Sequence, residues 1–285
     1  MKKLMFLAAA IAAGVAMADV SSANVVGYLN KEAAVTGFNY VAPTFVNIGG
    51  NRDINLQDIQ MVDVGDKGAD IQILDEVGMY TEFYWWFKKR TSGEVGPSGY
   101  RIPCPEGKLG VWFLVEFDED GEPSNYTYAE KKTIEWSCGF QLNADEGTLT
   151  TFDGEVTDEH VNQAGYCTGF NYFANPYPAE ISLQDIQMID VGDKGADIQI
   201  LDEVGMYTEF YWWFKKRTSG EVGPSGYRIP CPEGKLGVWF LVEFDEEGEP
   251  SNYTYAEKKT FAAGDGIQIN MDEGAEFEIV APYDL

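Results

Sequence analysis

The 285-residue chain sets 47 acidic against 20 basic side chains, a formal net charge of −27. That balance argues against nucleic acid as a partner, because phosphate backbones are held by clustered Lys and Arg. Its 14% aromatic and 45% hydrophobic content is equally unlike a disordered acidic tail and supplies enough apolar surface for a packed core.

Lys2 and Lys3, the apolar run from Leu4 to Val15 and the small-residue pattern Ala16-Met17-Ala18 predict a cleavable secretory signal peptide over residues 1–18. The run falls short of the roughly 18 residues a membrane-spanning helix needs. The expected product is therefore exported, in the periplasm, at the cell surface or outside the cell, with no membrane insertion after cleavage.

Past the leader the chain repeats itself. Leu56 to Thr133 recurs as Leu183 to Thr260, and only Val62/Ile189 and Asp120/Glu247 differ. The flanks match more loosely: Gly37-Phe38-Asn39-Tyr40 returns as Gly169-Phe170-Asn171-Tyr172, and Gly139-Phe140-Gln141-Leu142-Asn143 as Gly266-Ile267-Gln268-Ile269-Asn270. Each unit has the size of one ordinary domain, so residues 19–156 and 157–285 are read as two copies.

Within the first copy, Asn55 is a candidate cap for a turn or two of helix over Leu56 to Met61. Ile71 to Leu74 and Met79 to Phe87 flank the turn residues Asp75 to Gly78, and Val111 to Phe117 and Asn125 to Lys131 flank Asp118 to Pro123. Both read as β-hairpins. The expected fold is all-β, with two tandem β-sandwich or barrel-like domains from an internal duplication, each with at most one short helical turn.

Candidate site residues come from four groups. In Tyr80 to Lys88, period-two alternation puts Phe83, Trp85 and Phe87 on one face and Tyr80, Tyr84 and Trp86 on the other. Such a strand is either covered on both faces or offers an exposed stacking platform; on the second reading Tyr80, Tyr84, Trp86 and their counterparts Tyr207, Tyr211 and Trp213 bind a ligand such as a sugar ring. Asp118, Asp120 and Glu122, and separately Asp63, Asp66 and Asp70, resemble oxygen ligands for calcium, but neither run has the spacing of a helix-loop-helix calcium loop and no metal is assigned. The single histidine, His160, lies between the copies, which leaves nucleophilic catalysis without a repeated base. In an exported chain the four cysteines suggest disulfides: Cys138 with Cys167 across the junction, or Cys104 with Cys138 and Cys167 with Cys231.

The run Gly169-Phe170-Asn171 to Asn175-Pro176-Tyr177-Pro178, the segment Ile181 to Ile186, Tyr211 with Trp213, and Ile229 to Val242 together resemble β-rich modules of secreted bacterial proteins. Such modules occur in Bacteroidetes surface proteins and in secreted proteins of Verrucomicrobia and Lentisphaerae; Asn24 to Tyr28 and Gly154 to Val156 are similar to the second group. The first copy departs from the pattern at Ala42-Pro43-Thr44-Phe45. The resemblance implies a secreted surface module and brings no catalytic residue. The expected function is a structural or adhesive module without enzymatic activity or cofactor. It would bind a glycan, a protein surface or further copies of itself, with two weak sites reinforcing each other; a carbohydrate-binding protein is the alternative, and a hydrolase the third reading.

Overall fold

The computed structural model describes residues 26–64, 68–74, 80–86, 109–191, 195–201, 207–214 and 236–283. The expected leader, Asp66, Cys104, Cys231 and the turn from Asp75 to Gly78 lie outside them.

The first half contributes β1 (Val26–Glu32), β2 (Gly37–Val41), β3 (Asp53–Asn55), β4 (Gln60–Val62), β5 (Ala69–Leu74), β6 (Tyr80–Trp86), β7 (Trp112–Phe117), β8 (Pro123–Tyr128), β9 (Thr133–Glu135), β10 (Phe140–Ala144) and β11 (Leu149–Glu155). The second contributes β12 (Val161–Ala164), β13 (Gly169–Ala174), β14 (Ile181–Ser182), β15 (Ile186–Asp190), β16 (Ala196–Leu201), β17 (Tyr207–Trp213), β18 (Trp239–Phe244), β19 (Pro250–Tyr255), β20 (Thr260–Phe261), β21 (Gly266–Met271) and β22 (Glu276–Ile279). The chain is all-β, and the sequence repeat is matched by a repeated strand order. Six-stranded sheets run β2-β10-β5-β6-β7-β8 and β13-β21-β16-β17-β18-β19; three-stranded sheets run β1-β11-β4 and β12-β22-β15; β3-β9 and β14-β20 complete the set. Both expected hairpins form, β5 with β6 and β7 with β8, each antiparallel with one register shift.

Alternation decides which residues enter the core. From β6, Tyr84 and Trp86 point inward with Trp112 of β7, while Phe83 and Trp85 join Phe113 and Val115 in a second cluster on the opposite face. The helical turn is a single 3-10 turn, Leu56–Asp58, and the Asn55 side chain accepts the Gln57 N–H as its cap. Gln57 then pins this turn to β7, donating to the Trp112 carbonyl at 2.8 Å and accepting its N–H at 3.0 Å, while the Trp112 indole donates to the Ile59 carbonyl at 2.9 Å. Gln184, Trp239 and Ile186 repeat the arrangement. These bonds satisfy polar groups at the edge of the core, where an unpaired group costs about 1–3 kcal/mol.

The turn leading into β5 requires a glycine. Gly68 has φ +79°, and a Cβ there would sit 2.4 Å from the Trp86 carbonyl oxygen; Gly195 stands in the same relation to Trp213.

One apolar cluster runs through both halves, from Ala33 to Ile279. The halves are therefore packed on each other. None of the helices among the described residues is long and apolar enough to cross a membrane.

Candidate functional site at the seam between the halves

The seam is built twice by matching residues. Val41 bridges to Asp265 and Cys138 to Phe173, both antiparallel; Val41 matches Phe173 in the repeat, and Cys138 matches Asp265. The Ala42 N–H donates to the Gly264 carbonyl and the Ala174 N–H to the Ser137 carbonyl, each at 3.0 Å, again as a matching pair. Such reciprocity is the mark of an approximate twofold axis, here inside one chain. Near that axis Tyr40 stacks on its counterpart Tyr172, centroids 5.5 Å apart and planes 19° from parallel. Gly139 and Gly266 let the backbones meet: a Cβ on Gly139 would lie 2.2 Å from the Phe173 carbonyl oxygen and 3.3 Å from the Gly266 Cα.

Around this symmetric centre the two halves differ, and the differences hold them together. Lys31 forms an ion pair with Asp265 on one side; on the other, Gln163 donates to the Ser137 hydroxyl. Trp136, which has Ala263 as its counterpart, is fully buried. Its indole donates to the Pro176 carbonyl at 3.0 Å, its ring meets Tyr177 edge-on at 6.4 Å, and the Arg52 guanidinium covers it at 5.4 Å. Arg52 also pairs with Glu159 of the connecting segment. The Asn-Pro-Tyr-Pro turn is thus a structural clamp. Asn175 donates to the Ala179, Phe261 and Ala262 carbonyls and accepts the Tyr177 N–H, while the Tyr177 hydroxyl donates toward the Glu159 and Ile279 carbonyls.

Two grooves flank the Tyr40–Tyr172 stack. The larger, about 840 Å³, is lined by Thr36, Phe38, Tyr40, Gln141, Lys259 and Asp265. The smaller, about 240 Å³, is lined by Gln72, Lys132, Cys138, Gln141, Tyr166 and Tyr172. Phe38 is 43% exposed and gives the larger groove an open aromatic surface. The cations there are neutralised: Lys31 by Asp265, and Lys259 by Glu209 with the Tyr211 ring 5.6 Å from its ammonium. Gln141 lines both grooves, and its Oε1 is buried without a protein hydrogen bond.

This geometry corrects the aromatic platform. Tyr84, Trp86, Tyr211 and Trp213 are 3%, 5%, 4% and 7% exposed, because their strands lie inside six-stranded sheets and face the core, so they offer no surface to a ligand. The side chains of Tyr80 and Tyr207 lie outside the described residues. Tyr84 and Tyr211 act at one remove, as the rings beneath Lys132 and Lys259. Burial, reinforced by Glu82 and Glu209, raises both phenol groups above their ordinary range and keeps them neutral.

The disulfide expected between Cys138 and Cys167 is also not formed; both are thiols. Each sulfur is turned to its own surroundings: Cys138 Sγ lies 4.0 Å from Glu135 Oε2, and Cys167 Sγ lies 3.5 Å from the Phe170 carbonyl and 3.8 Å from Asn171 Oδ1. Burial first, and the Glu135 carboxylate second, push the Cys138 thiol up from 9 to about 12. A group whose pKa rises on folding contributes stability that is complete below its unfolded value and is lost as pH climbs through its folded value. The chain is accordingly expected to lose stability between about pH 9 and pH 12, and Cys138→Ala to flatten that part of a denaturant-midpoint profile against pH.

Among the described residues the remaining candidates stand in separate surroundings. Asp118 spends one carboxylate oxygen on the Asp120 and Glu122 N–H groups of its own loop, as Asp245 does for Glu247 and Glu249. Asp63 is exposed in a left-handed conformation (φ 53°), whereas Asp70 is buried and accepts from Gln72. His160 is exposed, with Nδ1 3.0 Å from Glu278 Oε1. Among the described residues no group of three or more His, Cys, Asp or Glu is placed to hold a metal ion.

The chain matches no family model, no curated protein and no solved structure.

Apart from Cys138 and the Asn175 to Pro178 run, the seam residues were not singled out from sequence, yet the repeat carries a signal for them. The copies are near-identical from Leu56 to Thr133 and diverge at Lys31/Gln163, Trp136/Ala263 and Cys138/Asp265, the positions where matching residues occupy unlike surroundings.

Proposed function

We propose that this chain is an exported, non-catalytic adhesive module that holds a hydroxyl-rich, uncharged ligand, a glycan segment of a partner or matrix, in the larger seam groove. The observation that carries the reading is the make-up of that groove. Phe38 and Tyr40 supply apolar ring faces, Thr36 and Gln141 supply hydroxyl and amide groups, and the lysines are already neutralised by Asp265 and Glu209. Apolar faces with a few fixed polar groups at the meeting of two structural units are the usual composition of a small-ligand site. Neutralised cations favour hydroxyl groups over anions, since a ligand carboxylate would have to displace a carboxylate already in place. The resemblance to secreted surface modules points the same way. The lone imidazole pairs with Glu278 and has no counterpart in the other half, which supports a binding role over catalysis.

A glycan array probed with the processed chain tests this. A neutral oligosaccharide is expected to bind, and Phe38→Ala to weaken that binding by about tenfold, the loss of about 1.4 kcal/mol of ring contact. The exposed position of Phe38 should leave the thermal transition unchanged. An array without signal, or equal binding by the variant, removes the groove as a glycan site.

A further inference from the structure

The smaller seam groove is the repeat counterpart of the larger one. Tyr40, Ile200, Lys259, Thr260 and Gly266 line the larger, and the residues at the same positions of the repeat, Tyr172, Ile73, Lys132, Thr133 and Gly139, line the smaller. The lysines are neutralised in the same way, Lys259 by Glu209 and Lys132 by Glu82. Each groove draws on both halves of the chain, so each is completed only when the halves dock.

The grooves adjoin on one face. Tyr40, Gln141 and Gln72 pair in register across β2, β10 and β5, and Tyr172 pairs with Gln268 across β13 and β21; residues paired in this way project to the same side of a sheet. Their chain neighbours Val41, Leu142, Ile71, Phe173 and Ile269 enter the core, which sets this row on the opposite face of both sheets. Gln141 lines both grooves. Between them stands the Tyr40–Tyr172 stack, with centroids 5.5 Å apart.

Size decides how the smaller groove can be used. At about 240 Å³ it falls below the roughly 300–1,000 Å³ of a self-sufficient ligand site, whereas the larger, at about 840 Å³, lies within that range. The difference has an identifiable cause. Tyr166 stands where the larger groove has Ala34, and its hydroxyl accepts the Tyr172 N–H at 3.1 Å. Its ring occupies space and adds a second aromatic wall beside Tyr172, while Gln141 and Thr133 supply amide and hydroxyl groups. A groove too small to serve alone, next to a larger one of like chemistry, is suited to continue it.

We propose that the two grooves form one elongated site, and that its ligand is a linear neutral glycan lying in the larger groove and continuing past the Tyr40–Tyr172 pair into the smaller. This rests on the larger groove being a glycan site. A linear glycan has a direction, and two identical grooves about a twofold axis would accept it equally in either sense. Tyr166 in place of Ala34 and Cys138 in place of Asp265 remove that equivalence and select one sense.

Isothermal titration calorimetry of the full chain with neutral gluco-, xylo- and manno-oligosaccharides, each as disaccharide and hexasaccharide, tests this. In the series that binds, the hexasaccharide should bind about tenfold more tightly than the disaccharide, the value of one added ring contact. Thr133→Trp, at an exposed position that lines the smaller groove, should fill that groove, remove the gain and leave disaccharide affinity unchanged. Tyr166→Ala, which takes away the added ring, should reduce the gain in the same way, while Phe38→Ala should weaken both lengths alike. Equal affinities for the two lengths, or a gain that survives either small-groove substitution, overturn the elongated site and leave the larger groove as a compact one. Absence of binding by every series removes both readings.

Discussion

Trp136→Ala is expected to destabilise the chain by about 3–5 kcal/mol, the range for truncating a large buried aromatic side chain, and to split one unfolding transition into two. Trp136 is 1% exposed, and its indole, ring face and ring edge engage Pro176, Arg52 and Tyr177. Pro176 and Tyr177 belong to the second half, so the cavity opens at the seam. Ala263 occupies the matching place in the other copy, which shows that a half can form with a methyl group there. The loss should therefore fall on the docking of the halves more than on either sheet. Differential scanning calorimetry distinguishes the outcomes: two resolved peaks support the account, while a single peak shifted downward places Trp136 in the core of the first half alone.

Asn175→Asp should cost about 3 kcal/mol or more, and more than Asn175→Ala. The Asn175 amide is fully buried and donates to three carbonyls, those of Ala179, Phe261 and Ala262, at 2.8–3.0 Å. Alanine removes the donor these carbonyls share, and each buried group left unsatisfied costs about 1–3 kcal/mol. A carboxylate is worse because it turns an acceptor toward three acceptors and buries a charge. Urea unfolding of the two variants checks the order. Equal midpoints would mean that the turn relaxes and the amide network is dispensable.

The fold was legible because its causes are local. Alternation from Phe83 to Trp86, the acidic turn from Asp118 to Glu122 and the Asn55 cap act over a few residues, and the structure follows them. The burial of Tyr84 and Trp86 was less legible, since alternation separates two faces without saying what covers each. The seam was hidden for a different reason. Lys31 meets Asp265 and Trp136 meets Pro176 across long stretches of chain, and the repeat draws attention to identical blocks, while docking depends on residues that differ between copies. Cysteine count and the expected export suggested a bond between Cys138 and Cys167; spacing could not reveal that one sulfur is turned to Glu135 and the other to the Phe170 carbonyl.

A ligand groove between two halves requires that the halves stay docked in solution. Amide hydrogen exchange reads this directly at Ala42, Gly139 and Ala174, whose N–H groups donate across the seam to Gly264, Tyr172 and Ser137. Protection comparable to that of the central strands β5 and β10 is predicted for all three. Exchange at the rate of exposed loop amides would contradict it, and the site between the halves would be lost with it.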